Sequence, residues 1–409
     1  MTATTALLPG GMSLAKPPRT ADAIWTVPSA LPAGDLGIFC PRQIDVSRIP
    51  VVVTRYADVL AVLADDDSWR HAADPEVLPA DARRYVPDSS WMLDGVPWQP
   101  LLSAVRRLNR GYPATARKFS RDLTELLLAR LMQEAPPWNL SRVIDEVAAR
   151  VAIEHVLCAP PLLEQVPRLR SLASRRRTER LTGTGPHPYG HFSADSQREL
   201  EEIFRTVEEQ YASLPDGIAR ELVLLHRQRE LDFRQLVSSL NLLLVVHEQL
   251  PALLCSVLAL ILEHDLLGYA RQTTGDPVLS KRLLDEGLRR GLSFPVGMAT
   301  AVREAGLSGI MLPTGTQIVL SFAAANMDPE RFGPDAADFD PARQRPAHVA
   351  FGRGGNRCLA EKASRDFAED VLYALLAGLP DIRLGHGGQI LREVTGVAWT
   401  VPELLVEPR

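Results

Sequence analysis

The sequence predicts a mainly α-helical protein with a minor β-sheet region, organised as one domain over residues 1–409. Three observations carry that expectation. Apolar residues recur at helical spacing from about residue 115 to 263. After residue 291 the texture changes to short apolar runs separated by turn residues, which reads as strands. No internal repeat and no clean linker divides the chain. A chain of 409 residues can bury a large core. Its net charge of −5, with 46% hydrophobic and 23% charged residues, is that of an ordinary globular protein. A dedicated nucleic-acid binder and a disordered chain are both excluded on that balance.

The elements follow in order. The first 50 residues are rich in Pro and Gly and are expected to wrap over a body. Residues 51–63, VVVTRYADVLAVL, read as a strand and then a helix. The helical region is broken at 181–192, LTGTGPHPYGHF, behind a basic run at 175–177; this reads as a connection between two helices, of a length often used as a lid. The longest apolar stretch, 242–262, is interrupted by His247, Glu248, Gln249 and Pro251, so it reads as a buried core helix and not a membrane span. A further helix is expected at 279–291. Strands are expected at 310–312 and 317–322 around the turn Pro313-Thr314-Gly315, then a long irregular stretch at 326–358 and a helix at 359–379.

Cys40, Cys158, Cys255 and Cys358 are far apart and form no CxxC, so neither a zinc site nor a disulfide framework is indicated. The N-terminus lacks a basic region followed by an apolar one, so no secretory signal is read and a cytoplasmic protein without membrane contact is expected. The chemistry concentrates in Phe351-Gly352-Arg353-Gly354-Gly355-Asn356-Arg357-Cys358-Leu359-Ala360. Glycines permit tight turns and close approach to a flat partner. A cysteine that opens a helix is expected to have a lowered pKa, because the helix N-terminus favours the thiolate. Cys358 is therefore a candidate metal ligand.

This segment resembles the haem-ligand loop of the cytochrome P450 family, F-G-x-G-x-[H/R]-x-C-x-G, through Phe351, Gly352, Gly354 and Cys358. Glu286-Gly287-Leu288-Arg289 is similar to the family's E-x-x-R. Residues 324–329 (AANMDP), with Phe332, Pro334, Phe339 and Asp340, are similar to its meander. The likeness runs from about residue 45 to the C-terminus with order and spacing kept. It implies the P450 fold, with Cys358 as thiolate ligand of a haem b iron, Phe351 beside the ligand loop, and Glu286 and Arg289 as a buried structural pair. Phe351, Gly352, Gly354, Arg357 and Arg106 are the expected haem-binding residues, alongside Cys358.

The chain departs from the family pattern at named positions. Where the family's central helix reads A-G-x-[D/E]-T, this chain has Val245-Val246-His247-Glu248-Gln249. Glu248 keeps the acid, and Gln249 replaces the threonine that helps deliver protons. Glu248 and Gln249 are the expected catalytic residues. Pro251 removes the hydrogen bond to the His247 carbonyl, so a kink or bulge is expected there. Three positions where the family clamps the haem propionates carry no cation here. They are Leu101 and Val105 near residue 100, Ala299, and Asn356; Arg106, Arg303 and Arg357 are neighbouring candidates, with Trp98. The meander position before Phe339, read as an arginine in the family, is Asp338.

Two functions follow from the resemblance. One is a haem-thiolate oxidoreductase, a monooxygenase or an oxidative coupling or cyclisation enzyme, acting on a mid-sized natural-product intermediate with atypical proton delivery. The other is a haem-free P450-like protein serving as an activating partner subunit or a non-oxidative cyclase. The resemblance places the substrate among Trp91, Met92, Val245, Val246, Leu250 and Val296. It implies a ferredoxin and a reductase as electron donors, steered by a basic face of Arg343, Arg345, Arg353, Arg357, Lys362 and Arg365.

Overall fold

A computed structural model of the chain describes residues 6–8, 12–14, 51–71, 110–182, 194–244, 246–344, 347–354, 357–358, 360–385, 390, 393–395 and 398–409. Strands β1 (Ala6–Leu8) and β2 (Met12–Leu14) form an antiparallel hairpin. The valine run of β3 (Val51–Val53) leads into α1 (Tyr56–Ala64), whose Tyr56, Val59, Val62 and Leu63 are buried at helical spacing; β4 (Trp69–His71) follows. The helical body then comprises α2 (Ala114–Leu131), a short β5 (Trp138–Asn139), α3 (Leu140–Val151), α4 (Val166–Thr182), α5 (Ala194–Glu209), α6 (Ile218–Arg227), α7 (Phe233–Leu244), α8 (Val246–Glu263), α9 (Leu267–Gln272) and α10 (Pro277–Arg290). After it come β6 (Val296–Ala301), β7 (Ala305–Leu307), β8 (Ile310–Leu312) and β9 (Gln317–Ser321). Two one-turn helices, α11 (Phe322–Ala325) and α12 (Pro329–Phe332), precede the long α13 (Glu361–Gly378). The chain closes with β10 (Ile382–Leu384), β11 (Glu393–Thr395), β12 (Ala398–Thr400) and β13 (Leu405–Pro408).

The helix starts are written in the sequence. Asp276 caps α10, accepting from the Val278 and Leu279 amides at 2.8 and 3.1 Å, with Pro277 at the first helical position. Asn139 caps α3 and Asp328 caps α12 in the same way. In the body, α13 packs on α2 and α8 packs on α3 and α10. Gly287 makes the α8–α10 approach possible, because a Cβ there would lie 2.8 Å from the Val257 side chain.

The largest sheet has six strands in the order β1-β2-β3-β9-β6-β4. Within it β3 runs parallel to β9, Val51 opposite Ile318, and β6 runs antiparallel to β9. A parallel neighbour demands a long crossover, and here the whole helical body fills it. Two large buried cores form among the described residues, apart from a small cluster of Leu292 and Ala323. One is made by the helices; the other, between the sheet and α1, gathers Val53, Tyr56, Val59, Trp69, Ile318, Leu320, Phe332 and Val349.

The expected mainly α architecture with a minor sheet is what forms. The stretch expected as one helix at 242–262 is shared between α7 and α8, which flank Val245; Val245 lies outside the described residues. Pro251 sits inside α8, and the helix continues to Glu263. The 181–192 connection falls between α4 and α5, with residues 183–193 outside the described part. No single helix among the described residues is long and apolar enough to cross a membrane.

Candidate functional site

The site is built on a buried charge hub at the end of α10. Arg289 is fully buried and Glu286 nearly so. Glu286 accepts from Arg289 Nε at 2.8 Å and from Nη2 at 2.6 Å, a bidentate pair three residues apart on one helix face. The remaining Arg289 hydrogens go to the carbonyls of Asn326, Ala336 and Asp338 at 2.6 to 2.8 Å. One side chain thus pins three points of the irregular 326–340 stretch. The cation missed at Asp338 is supplied by Arg343, whose Nε lies 3.5 Å from Glu286 and whose other nitrogens donate to the Phe332 and Asp335 carbonyls. Asp338 takes part in the hub only through its backbone carbonyl, so the side chain at that position is not the one that matters.

Asn326 passes the order on to the cysteine loop. It is fully buried, donates to the Arg289 carbonyl at 3.2 Å, and accepts from the Val349 amide at 2.8 Å. The loop then closes on itself. Gly352 donates to the Val349 carbonyl at 2.9 Å and the Cys358 amide donates to the Phe351 carbonyl at 2.7 Å. Gly354 has φ +59°, and a Cβ there would lie 2.4 Å from the Leu63 carbonyl oxygen. A non-glycine residue is excluded both by the left-handed backbone and by that contact.

Cys358 does not open the helix; α13 begins three residues later, at Glu361. The expected lowering of its thiol pKa is reversed, since desolvation by the surrounding protein pushes it up. The Ala360 amide opposes that shift by hydrogen bonding to the sulfur, as does nearby Arg357. The residue as a whole is nonetheless exposed, while the loop around it desolvates the thiol. The glycine cradle, the exposed cysteine and the amide directed at its sulfur fit a haem-thiolate ligand.

The propionate side offers less. Ala299 is buried in β6 and carries no charge. Arg303 donates to Ser68 Oγ at 2.9 Å, and Arg357 is committed to Glu361 at 2.8 Å. Arg106, Trp98 and Asn356 lie outside the described residues.

Beside the loop is a group that sequence reasoning missed. His348 has a side chain 6% exposed. Its Nδ1 accepts from the Ala350 amide at 3.2 Å, and its Nε2 lies 3.8 Å from Asp285 and 3.3 Å from Arg365. Burial holds its pKa below the ordinary histidine value. Arg365 lies over the Phe351 ring, 5.3 Å from its centre, and also pairs with Glu361, which holds Arg357. The sequence signal available was the histidine three places before Phe351, within the same run as the cysteine.

Four residues of the expected basic face stand in ion pairs, while no ion pair of Arg353 is found among the described residues. Arg343 is turned into the hub, Arg357 and Arg365 share Glu361, Arg365 also pairs with Asp285, and Lys362 pairs with Asp366. Arg345 is outside the described residues.

On α8, Glu248 and Gln249 are half-buried and Leu250 is buried. Gln249 Oε1 is shielded from solvent with no hydrogen-bond partner among the described residues. A buried carbonyl oxygen without a donor is costly, so this position calls for a water or ligand donor. Val296, at the start of β6, is buried. Val246 lies in α8, and Trp91, Met92 and Val245 fall outside the described residues.

Comparison with known proteins gives one consistent likeness. No family model matches the chain. It is 28% identical over 362 residues to the mycinamicin IV hydroxylase/epoxidase of Micromonospora griseorubida, covering 82% of this chain and 83% of that protein. It is 26% identical over 347 residues to the cytochrome P450 monooxygenase PikC of Streptomyces venezuelae, covering 81% of this chain and 79% of that protein. A Streptomyces protein, cytochrome P450 105C1, is 37% identical over a shorter stretch, 31% of this chain and 32% of that protein. The chain thus spans about a third of the length of that last relative. Among solved structures, the mycinamicin VIII C21 methyl hydroxylase of Micromonospora griseorubida superposes with a TM-score of 0.71 at 23% identity, covering 87% of this chain and 90% of that one.

Proposed function

We propose that the chain is a haem-thiolate oxidoreductase of the cytochrome P450 family, acting on a mid-sized natural-product intermediate. The observation that carries this is Cys358 itself: exposed, set in a glycine cradle, and met by the Ala360 amide. A haem b held there supplies dioxygen activation, to which a thiolate donates electron density. Cys358 would bind the iron, with Gly352 and Gly354 allowing the close turn of the loop and Phe351 at the start of that loop. Relatives named as a mycinamicin IV hydroxylase/epoxidase and a cytochrome P450 monooxygenase support insertion of oxygen. A structural neighbour named for C–S bond formation in chuangxinmycin biosynthesis supports coupling as the variant outcome.

The proton chemistry falls to Glu248 and Gln249. A glutamine amide holds a water but passes protons poorly, so Gln249 positions that water beside the Glu248 carboxylate. Leu250 and Val296, both buried, are the described candidates for an apolar substrate contact. Electrons come from a ferredoxin and reductase, and the protein works in the cytoplasm. Replacing Cys358 by Ala is expected to abolish haem-dependent turnover and the thiolate-ligated spectrum; unchanged turnover would defeat the proposal.

One observation favours a second reading. Arg303 and Arg357, the expected propionate cations within the described residues, are engaged elsewhere. On that reading the fold is reused without haem, as an activating subunit or a non-oxidative cyclase. A protein that stays colourless when supplied with haem supports it.

A further inference from the structure

We propose that His348 is a positioning residue for the Cys358 loop, acting through its Nδ1 as a fixed hydrogen-bond acceptor. The inference rests on the reading of Cys358 as the metal ligand. The geometry assigns the tautomer. The Ala350 amide can only donate and lies 3.2 Å from Nδ1, so the ring hydrogen sits on Nε2, which faces the Asp285 carboxylate at 3.8 Å; Arg365, 3.3 Å from Nε2, then packs on the ring with its own hydrogens on Asp285 and Glu361. Asp285 is itself held by Arg365 and by Lys281, the latter at 2.6 Å. A carboxylate behind one ring nitrogen fixes the other as acceptor, and that acceptor holds the amide one residue before Phe351. Phe351 in turn accepts from the Cys358 amide at 2.7 Å.

The network returns to the cysteine by a second route. Arg365 covers the Phe351 ring and pairs with Glu361 at 3.1 Å, and Glu361 holds Arg357, next to Cys358, at 2.8 Å. Helix α10, the start of the loop and helix α13 therefore meet at one imidazole. A buried histidine that only filled space would need neither the amide on Nδ1 nor the carboxylate facing Nε2.

Two substitutions separate the ring nitrogens. His348→Asn places a carbonyl oxygen where Nδ1 stands, able to accept from the amide two residues on as an Asx turn does. His348→Gln keeps a polar group near Nε2 and loses that acceptor. The readout is alkylation of Cys358 by N-ethylmaleimide in the haem-free full-length protein, with Cys358→Ala giving the background from the other cysteines. The Asn variant is expected to react at the wild-type rate. The Gln variant is expected to react roughly fivefold faster, the equivalent of about 1 kcal/mol for one lost hydrogen bond. Equal rates in both variants, or a Gln variant like wild type, would overturn the proposal.

If His348→Gln does not fold, Asp285→Ala gives the answer. It is expected to accelerate alkylation when His348 is present and to have no effect in the Asn variant, because an amide needs no tautomer fixed. Equal acceleration in both backgrounds would overturn the proposal. A wild-type protein that takes up no haem counts against the proposed function, and leaves these alkylation ratios to stand or fall on their own.

Discussion

Arg289 takes five hydrogen bonds to two side-chain oxygens and three backbone carbonyls with no exposure to solvent. Replacing it by Met is expected to strand the Glu286 carboxylate and release the 326–340 stretch, costing about 3–5 kcal/mol. Urea unfolding measures that loss; a loss below about 1 kcal/mol would contradict the hub. The Glu286–Arg289 pair was legible because the two residues are local, three apart on one helix. The roles of Arg343 and Asn326 in the hub were not read, because they depend on where a long irregular stretch folds back. Cys358 was readable as a candidate ligand, but the direction of its pKa shift was not. Desolvation depends on what surrounds the sulfur in space, and the helix whose dipole was invoked starts three residues further on.

At the scale of elements, two glycines of opposite character test the loop. Gly354→Ala forces a residue with a Cβ into φ +59° and against the Leu63 carbonyl. It is expected to destabilise the protein by more than about 1 kcal/mol and to expose Cys358 to alkylation. Gly268, in α9, has nothing within 4 Å of an added Cβ, so Gly268→Ala is expected to stabilise by roughly 0.5–1 kcal/mol. Thermal melts of the two variants should move in opposite directions; movement together would contradict the geometry. The strand and helix expectations at 51–63, 279–291, 310–312 and 317–322 match the elements formed, since each rests on a local period or cap. The division of 242–262 between α7 and α8 was not legible at its actual place: the disturbance was expected at Pro251, which lies inside α8, whereas the two helices divide at position 245.

At the scale of the molecule, charge sets two behaviours. Burial holds His348 and His155 below the ordinary histidine value of 6.5, so both are neutral when folded and take up protons more readily when unfolded. Their contribution is complete above pH 6.5 and is lost as pH falls from there toward their folded values. Asp285 and Glu361 are held below the usual carboxylate range, Asp285 by its hydrogen bonds to His348, Lys281 and Arg365 and by the Arg365 charge, Glu361 by Arg357 and Arg365. Their contributions are present above the ordinary carboxylate values and are lost at lower pH. Stability is therefore expected to decline in two steps, and His348→Asn should shallow the first; an unchanged slope between pH 6.5 and 5 would contradict the assignment. The second behaviour concerns partners. The Arg343, Arg357, Lys362 and Arg365 charges are spent on the chain's own carboxylates. Ferredoxin association is therefore expected to weaken only slightly with added salt, whereas a steep dependence would point to an unpaired basic face.

The most direct test of the whole account is the absorption spectrum of the reduced protein under carbon monoxide, after expression with a haem precursor. The account predicts a Soret band at the thiolate-ligated position, lost in Cys358→Ala. A protein without a haem band, or a band unchanged by that substitution, would contradict it.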